Sequence, residues 1–224
     1  MKNNITELVF VLDRSGSMHG LEQDTVGGFN ALIEKQKTVE GKCFVTTVLF
    51  NGEMRTVHDR LELAEIPPMT EKDYQPGGCT ALLDALGDTI RHIARIHKYA
   101  RPEDVPEHTL FVIMTDGLEN ASHRYTGEEV RRLVEHEKEK YGWEFLFLAA
   151  NIDAAEAAGR CGIAPDRTAN YHADAEGTDV VYKTVAETVC HARMGAPIDA
   201  GWNNKINRDY RSRKSDPRRG KTAK

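Results

Sequence analysis

The stretch Glu7-Leu8-Val9-Phe10-Val11-Leu12-Asp13-Arg14-Ser15-Gly16-Ser17-Met18 decides the fold. Leu8 to Leu12 is an unbroken apolar run of strand length, carried by β-branched and aromatic side chains. A strand apolar at successive positions is buried on both faces, and such strands belong to parallel sheets covered by helices. The run ends at Asp13, and the residues beyond it are small and carry oxygen. In open α/β sheets, ligands sit in the crevice outside the carboxyl ends of the strands. Asp13, Ser15 and Ser17 are therefore expected together at that edge, with Gly16 permitting a sharp turn. One carboxylate and two hydroxyls are hard donors suited to a magnesium-type ion. A plainer reading stands beside this one: Ser17 caps the following helix and Asp13 is a solvated strand end.

Working outward, Leu21, Val26, Phe29, Leu32 and Ile33 follow at near-helical spacing, with Lys35 and Lys37 in the last turn and Gly41 as a stop. Cys43 to Phe50 predicts a second buried strand. Asn51-Gly52 is a two-residue hairpin signal, so Glu53 to His58 should return antiparallel at the sheet edge. Pro67-Pro68 and Pro76-Gly77-Gly78 bracket an irregular connection. Thr80 then opens a helix through Leu82, Leu83, Leu86, Ile90 and Ile93, and by itself it too reads as an N-cap. Thr109 to Met114 is a strand as apolar as the first, and it also runs into a carboxylate, Thr115-Asp116-Gly117. A charged helix from about Thr126 to Lys140, a strand from Trp143 to Ala150 and a short helix capped by Asp153 come next. A weak strand, Thr168 to His172, and a final helix, Glu176 to Arg193, complete the pattern. Strand–helix alternation of this kind predicts a doubly wound, Rossmann-like α/β fold. Its sheet is six-stranded and mostly parallel, with one antiparallel edge strand and helices on both faces.

Length and composition fit this reading. The 224 residues allow one domain plus a tail, and 40% apolar with 29% charged residues is a globular balance. No apolar run approaches the roughly 20 residues that span a bilayer, so no membrane contact is expected. The amino terminus enters the first strand without the apolar stretch of a signal peptide, and a cytoplasmic protein is the expectation. Cys43, Cys79, Cys161 and Cys190 are scattered, with no C-x-x-C pair, which predicts free thiols and no structural zinc. Charge is uneven. Lys205 to Lys224 holds nine Lys/Arg against two Asp/Glu, a net +7, and the rest of the chain is at −12. The expected division is a domain over residues 1–195 and a basic, partly disordered tail over 196–224.

Taken together, Asp13-x-Ser15-x-Ser17, Gly77-Gly78-Cys79-Thr80 and Thr115-Asp116-Gly117 resemble the metal ion-dependent adhesion site of the von Willebrand factor type A domain. The likeness runs from about Ile5 to Arg193, and all five ligand positions hold the expected residue types. The resemblance implies that Asp13, Ser15, Ser17, Thr80 and Asp116 hold one divalent cation, Mg2+ or alternatively Mn2+. In the family the serines bind directly, while the threonine and second aspartate exchange direct and water-mediated roles. When no anion is bound directly, the ion recruits one from outside, a Glu or Asp side chain of a partner protein. Arg14, Gly78, Cys79, Gly117 and Glu119 would rim that partner-binding face, with Asn120 beside them. Met18-His19-Gly20-Leu21 lacks the paired aspartates of a second adjacent metal site, so a single ion is expected. Resemblance to stand-alone bacterial members implies a cytoplasmic adaptor, linked to an AAA+ ATPase or a stress-response system.

Two other functions are weighed against this one. The first is a metal-dependent phosphoester hydrolase. An aspartate after an apolar strand resembles the haloacid dehalogenase phosphatases, but those need a second Asp where this chain has Ser15. No phosphate-binding loop G-x-x-x-x-G-K-[ST] and no G-x-S-x-G elbow is present either. The chain therefore reads as a non-enzyme. The second is nucleic-acid binding through the basic tail, by salt-sensitive phosphate contacts. Within that tail Trp202, Ile206 and Tyr210 recur every four residues, which predicts a helical turn or two docking on the body.

Overall fold

The computed structural model describes residues 4–214. Six strands, β1 (Ile5–Asp13), β2 (Lys42–Phe50), β3 (Met54–Glu62), β4 (His108–Thr115), β5 (Glu144–Ala150) and β6 (Thr168–Tyr171), form one sheet in the order β3-β2-β1-β4-β5-β6. All neighbours are parallel except β2 and β3, which pair antiparallel. This is the doubly wound arrangement expected, with the antiparallel strand at the edge.

Every residue of β1 is buried, and its alternation divides the core. Leu8, Phe10 and Leu12 face a layer built from α1 (Glu22–Lys37) and α5 (Ala175–Arg193). Val9 and Val11 face α2 (Leu82–Tyr99), α3 (Gly127–Tyr141) and α4 (Ala154–Arg160). Each such side chain contributes roughly 1.5–3 kcal/mol on burial, so β1 is fixed from both sides. Helix starts follow the chemistry of their caps. Thr126 and Glu129 form a capping box at α3, Asp153 accepts from Ala155 N and Glu156 N at α4, and Asp174 accepts from Gly177 N at α5.

The packed body extends past residue 195. A sixth helix, α6 (Asn204–Lys214), lies against α5 and β6, with Ile198, Trp202 and Ile206 buried. Arg211 and Arg213, assigned from composition to the basic tail, belong to this helix, and Arg213 pairs with Asp174 and Asp209. Apolar side chains at four-residue spacing outweigh the basic composition there. The basic run from residue 215 to 224, expected to be disordered and weighed as a nucleic-acid contact, lies outside the described residues. Among the described residues no helix is long and apolar enough to cross a membrane. The four cysteines are free thiols, with Cys79 exposed and the others buried.

Candidate metal centre

The sheet order places β1 between β2 and β4, so the chain leaves β1 on one side and returns on the other. That switch point opens a crevice at the carboxyl ends of β1 and β4. Leu12 registers with Met114, so Asp13 ends β1 level with Thr115. The next residues, Arg14-Ser15 and Asp116-Gly117, then form facing loops.

Asp13 is buried and uses both carboxylate oxygens inside the protein. Oδ1 accepts from Ser15 N at 2.7 Å, and Oδ2 accepts from the Thr115 hydroxyl at 2.6 Å. Its carbonyl accepts from the buried Tyr74 hydroxyl. The Ser15 and Ser17 hydroxyls lie 3.0 Å apart, and the Ser17 hydroxyl donates to Asp116 Oδ1 at 2.5 Å. A Cβ placed on Gly117 would lie 3.2 Å from Thr80 Oγ1 and 3.5 Å from Ser17 Oγ, so the threonine hydroxyl reaches the same spot. The sequence-predicted oxygens of Asp13, Ser15, Ser17, Thr80 and Asp116 are thus brought together by three separate loops.

One atom in this group is left over. Asp116 Oδ2 is buried and has no hydrogen-bond partner. Burial pushes the carboxyl of Asp116 above the usual range, and the nearby charge of Asp13 adds to the rise. Burial also raises Asp13, against the hydrogen bonds from Thr115 and Ser15 that favour its charged form. Two crowded carboxylates, three hydroxyls and an orphaned buried oxygen make a hard, anionic donor set that fits a divalent cation. Nitrogen and sulfur ligands are not involved, and among the described residues no cluster of three or more His, Cys, Asp or Glu forms a metal site of another type.

The loops are held by contacts that sequence reading did not find. Asn51 Nδ2 donates to Gly77 O, Gly77 N to Arg14 O, and Gly16 N to Gly78 O, tying the glycine loop to the serine loop. Gly78 has φ +76°, a conformation that a side chain would strain. Thr80 is locked to the Asp116 loop by a reciprocal pair, Thr80 N to Asn120 Oδ1 and Asn120 N to Thr80 O. Ala81, rather than Thr80, precedes α2, which leaves the Thr80 hydroxyl free for the site. Ser17 likewise sits inside a single 3-10 turn, Gly16–Met18, and makes no helix cap.

The expected rim is partly corrected. Gly78 and Cys79 are exposed beside Thr80, Gly117 is half-buried, and Leu118 stands out beside them at 62% exposure. Arg14 is half-buried, reaching the Gln75 carbonyl at 3.5 Å. Glu119 is half-buried beside Gly117 and Leu118, but it does not offer a free carboxylate there. Its carboxylate turns inward and accepts from Leu83 N, Ala121 N, Ser122 N and the Ser122 hydroxyl. It satisfies Leu83 N at the start of α2 and two backbone donors of its own loop, a demand that outweighs display to solvent.

No protein-family profile matches the chain. Over 120 residues, 50% of the chain, it is 32% identical to inter-alpha-trypsin inhibitor heavy chain H3 of Bos taurus, and it spans only 13% of that protein. Among solved structures it resembles the vWF domain of the type V pili tip protein Mfa5 from Porphyromonas gingivalis, with TM-score 0.59 and 11% identity. That match covers 80% of this chain and 94% of the other. A von Willebrand factor type A protein from Catenulispora acidiphila aligns with TM-score 0.56 and 13% identity, covering 83% of this chain and 42% of the other. Proximal thread matrix protein 1 from the mussel byssus, in a form with a zinc-occupied MIDAS motif, aligns with TM-score 0.55 and 14% identity, covering 83% and 46%. The chain therefore has the von Willebrand factor type A fold.

Proposed function

We propose that this protein is a metal-dependent interaction module, which binds an acidic side chain of a partner protein through one divalent cation at the Asp13–Asp116 site. The observation that carries the reading is Asp116 Oδ2, a buried carboxylate oxygen without a partner amid four other converging side chains. Ser15, Ser17 and either Thr80 or Asp116 would hold the ion directly, and Asp13, both of whose oxygens already accept hydrogen bonds, would act from behind them. A bound Mg2+ or Mn2+ supplies a Lewis-acidic position that takes a carboxylate from outside.

The chain's own residues prepare that position. Thr115 and Ser15 N orient Asp13, the Asn120 pair sets the height of Thr80, and the glycine loop keeps bulk away from the opening. Gly78, Cys79, Gly117 and Leu118 form the surface that a partner meets. We favour binding over turnover because Asp13, the position a phosphatase would use as nucleophile, has both oxygens committed inside the protein. A cytoplasmic adaptor serving an AAA+ ATPase or stress-response system remains the proposed setting.

The test combines metal binding with partner capture. Mg2+ at a hundredfold excess over its dissociation constant should stabilise the fold by about 2.7 kcal/mol, and Asp116→Asn should abolish that gain while melting normally in EDTA. An immobilised Glu-containing peptide array should then retain the wild type in Mg2+ and release it in EDTA. Retention that persists in EDTA and in Asp116→Asn would overturn the reading.

A further inference from the structure

At the opposite end of the sheet from Asp13 and Asp116, a cleft of about 600 Å³ opens between the carboxyl-terminal halves of α2 and α3. Its lining includes Val105 and Pro106, just before β4, and Trp143, just before β5. Trp143 is almost fully buried, and the His97 ring meets it edge-on at 5.4 Å. Tyr99 and Tyr141 stand at the mouth, 74% and 55% exposed.

The polar groups of the cleft are segregated by depth. Glu137 lines the interior at 5% exposure, and its Oε2 is buried with no hydrogen-bond partner. Its carboxyl is raised by burial, against the pull of His136, His97 and Lys140 nearby. Arg91, Arg95 and Lys98 lie on the outside, at positions i, i+4 and i+7 of one face of α2. Arg95 makes no ion pair among the described residues. A buried carboxylate oxygen without a donor is costly in a native fold, and here its side chain lines a cavity large enough for a small molecule.

Each part of the lining restricts what fits. Glu137 only accepts when ionised, so the inner end of a ligand must bring N–H donors. The exposed rings of Tyr99 and Tyr141 favour a flat π-system, and the cationic side chains beside them favour an anion. Guanine offers two adjacent N–H groups on one edge, a geometry that a carboxylate accepts in bidentate fashion. Adenine presents a ring-nitrogen acceptor on the corresponding edge, which a carboxylate repels.

We propose that this cleft binds a guanine nucleotide, with the base edge donating to Glu137 and the phosphate held by Arg91, Arg95 and Lys98. The site is separate from the metal centre and does not depend on it.

Calorimetric titration of the full chain with GMP, GDP, AMP and inorganic phosphate tests the proposal, first in EDTA and then in Mg2+. GMP and GDP should bind, with AMP at least about tenfold weaker. Glu137→Gln should weaken GMP about tenfold, as loss of a charge-assisted hydrogen bond does. The double variant Arg95→Ala/Lys98→Ala changes only exposed residues, and should weaken GMP while leaving guanosine unchanged. Asp116→Asn should bind GMP as the wild type does, even if metal binding fails. AMP binding as tightly as GMP, inorganic phosphate competing on equal terms, or no heat at millimolar nucleotide would each overturn the proposal.

Discussion

Asp116 and Thr115 are neighbours with opposite roles. Asp116 presents an unsatisfied oxygen to the crevice, whereas Thr115 spends its hydroxyl on Asp13 Oδ2. A hydrogen bond to a charged group contributes roughly 1.5–3 kcal/mol, and a group that orients a metal ligand typically changes affinity by about 10–100-fold when lost. Thr115→Val keeps the shape of the side chain and removes only the donor. It should melt earlier in EDTA and need at least about tenfold more Mg2+ for the same thermal shift, read by differential scanning fluorimetry. An unchanged Mg2+ midpoint would reduce Thr115 to a packing role. The convergence of Asp13, Thr80 and Asp116 on one crevice was legible because strand ends and loop glycines punctuate the sequence around them. Thr115 stands in the Thr115-Asp116-Gly117 motif without a role of its own, since nothing in the sequence shows that its hydroxyl would turn to Asp13. Glu119 misled in the other direction, because its sequence position gave no sign that Leu83 N of α2 and the backbone N–H groups of its own loop would claim it.

At the scale of elements, α2 and β3 show which sequence signals carry structure. Asp84, in the first turn of α2, accepts from His123 N, Arg124 N and Tyr125 N, clamping the loop beyond Asp116 onto the helix. Nothing local marks such a bond, which joins residues some forty positions apart. Strand β3 was legible as an antiparallel edge from Asn51-Gly52, yet it runs on to Glu62 through bulged pairing with β2. Its alternating pattern hides one buried polar residue, His58, whose ring hydrogen-bonds Thr47 at 3.0 Å and stacks near Phe29. Burial holds the His58 pKa below its ordinary value. The unfolded chain therefore takes up a proton near pH 6.5 that the folded chain resists. The His58 contribution is intact above that pH and is lost as pH falls, by at most about 1.4 kcal/mol per unit. Urea denaturation between pH 7 and 5 should show a shallower loss for His58→Gln than for the wild type. Parallel slopes for the two proteins would show that His58 is protonated in the folded state without penalty.

For the whole molecule, an open sheet has two edges, and each is a hazard unless blunted. The β3 edge carries Arg55, Asp59, Arg60 and Glu62 and is broken by the bulge. The β6 edge is treated differently, being covered by the chain beyond α5. Asn203 Nδ2 donates to Thr168 O, Trp202 Nε1 to Asp166 O, and the His172 ring meets the Tyr210 carbonyl at 3.0 Å. Pro197 and Gly201 read as a boundary near residue 195, with a basic tail beyond it, but stability follows buried apolar area, and Ile198, Trp202 and Ile206 supply it. Removing a buried side chain of this size costs roughly 2–5 kcal/mol, and each kcal/mol shifts melting by about 2–4 °C in a domain of this length. A chain ending at Gly195 should therefore melt at least about 8 °C lower, and with β6 uncovered it should associate on size-exclusion chromatography with light scattering. Ile206→Ala in the full chain should lower the melting temperature by a smaller amount and stay monodisperse relative to the truncation, because α6 still covers the edge. If the truncated chain melts and elutes like the full one, the folding unit ends where the basic composition begins, and α6 is an appendage.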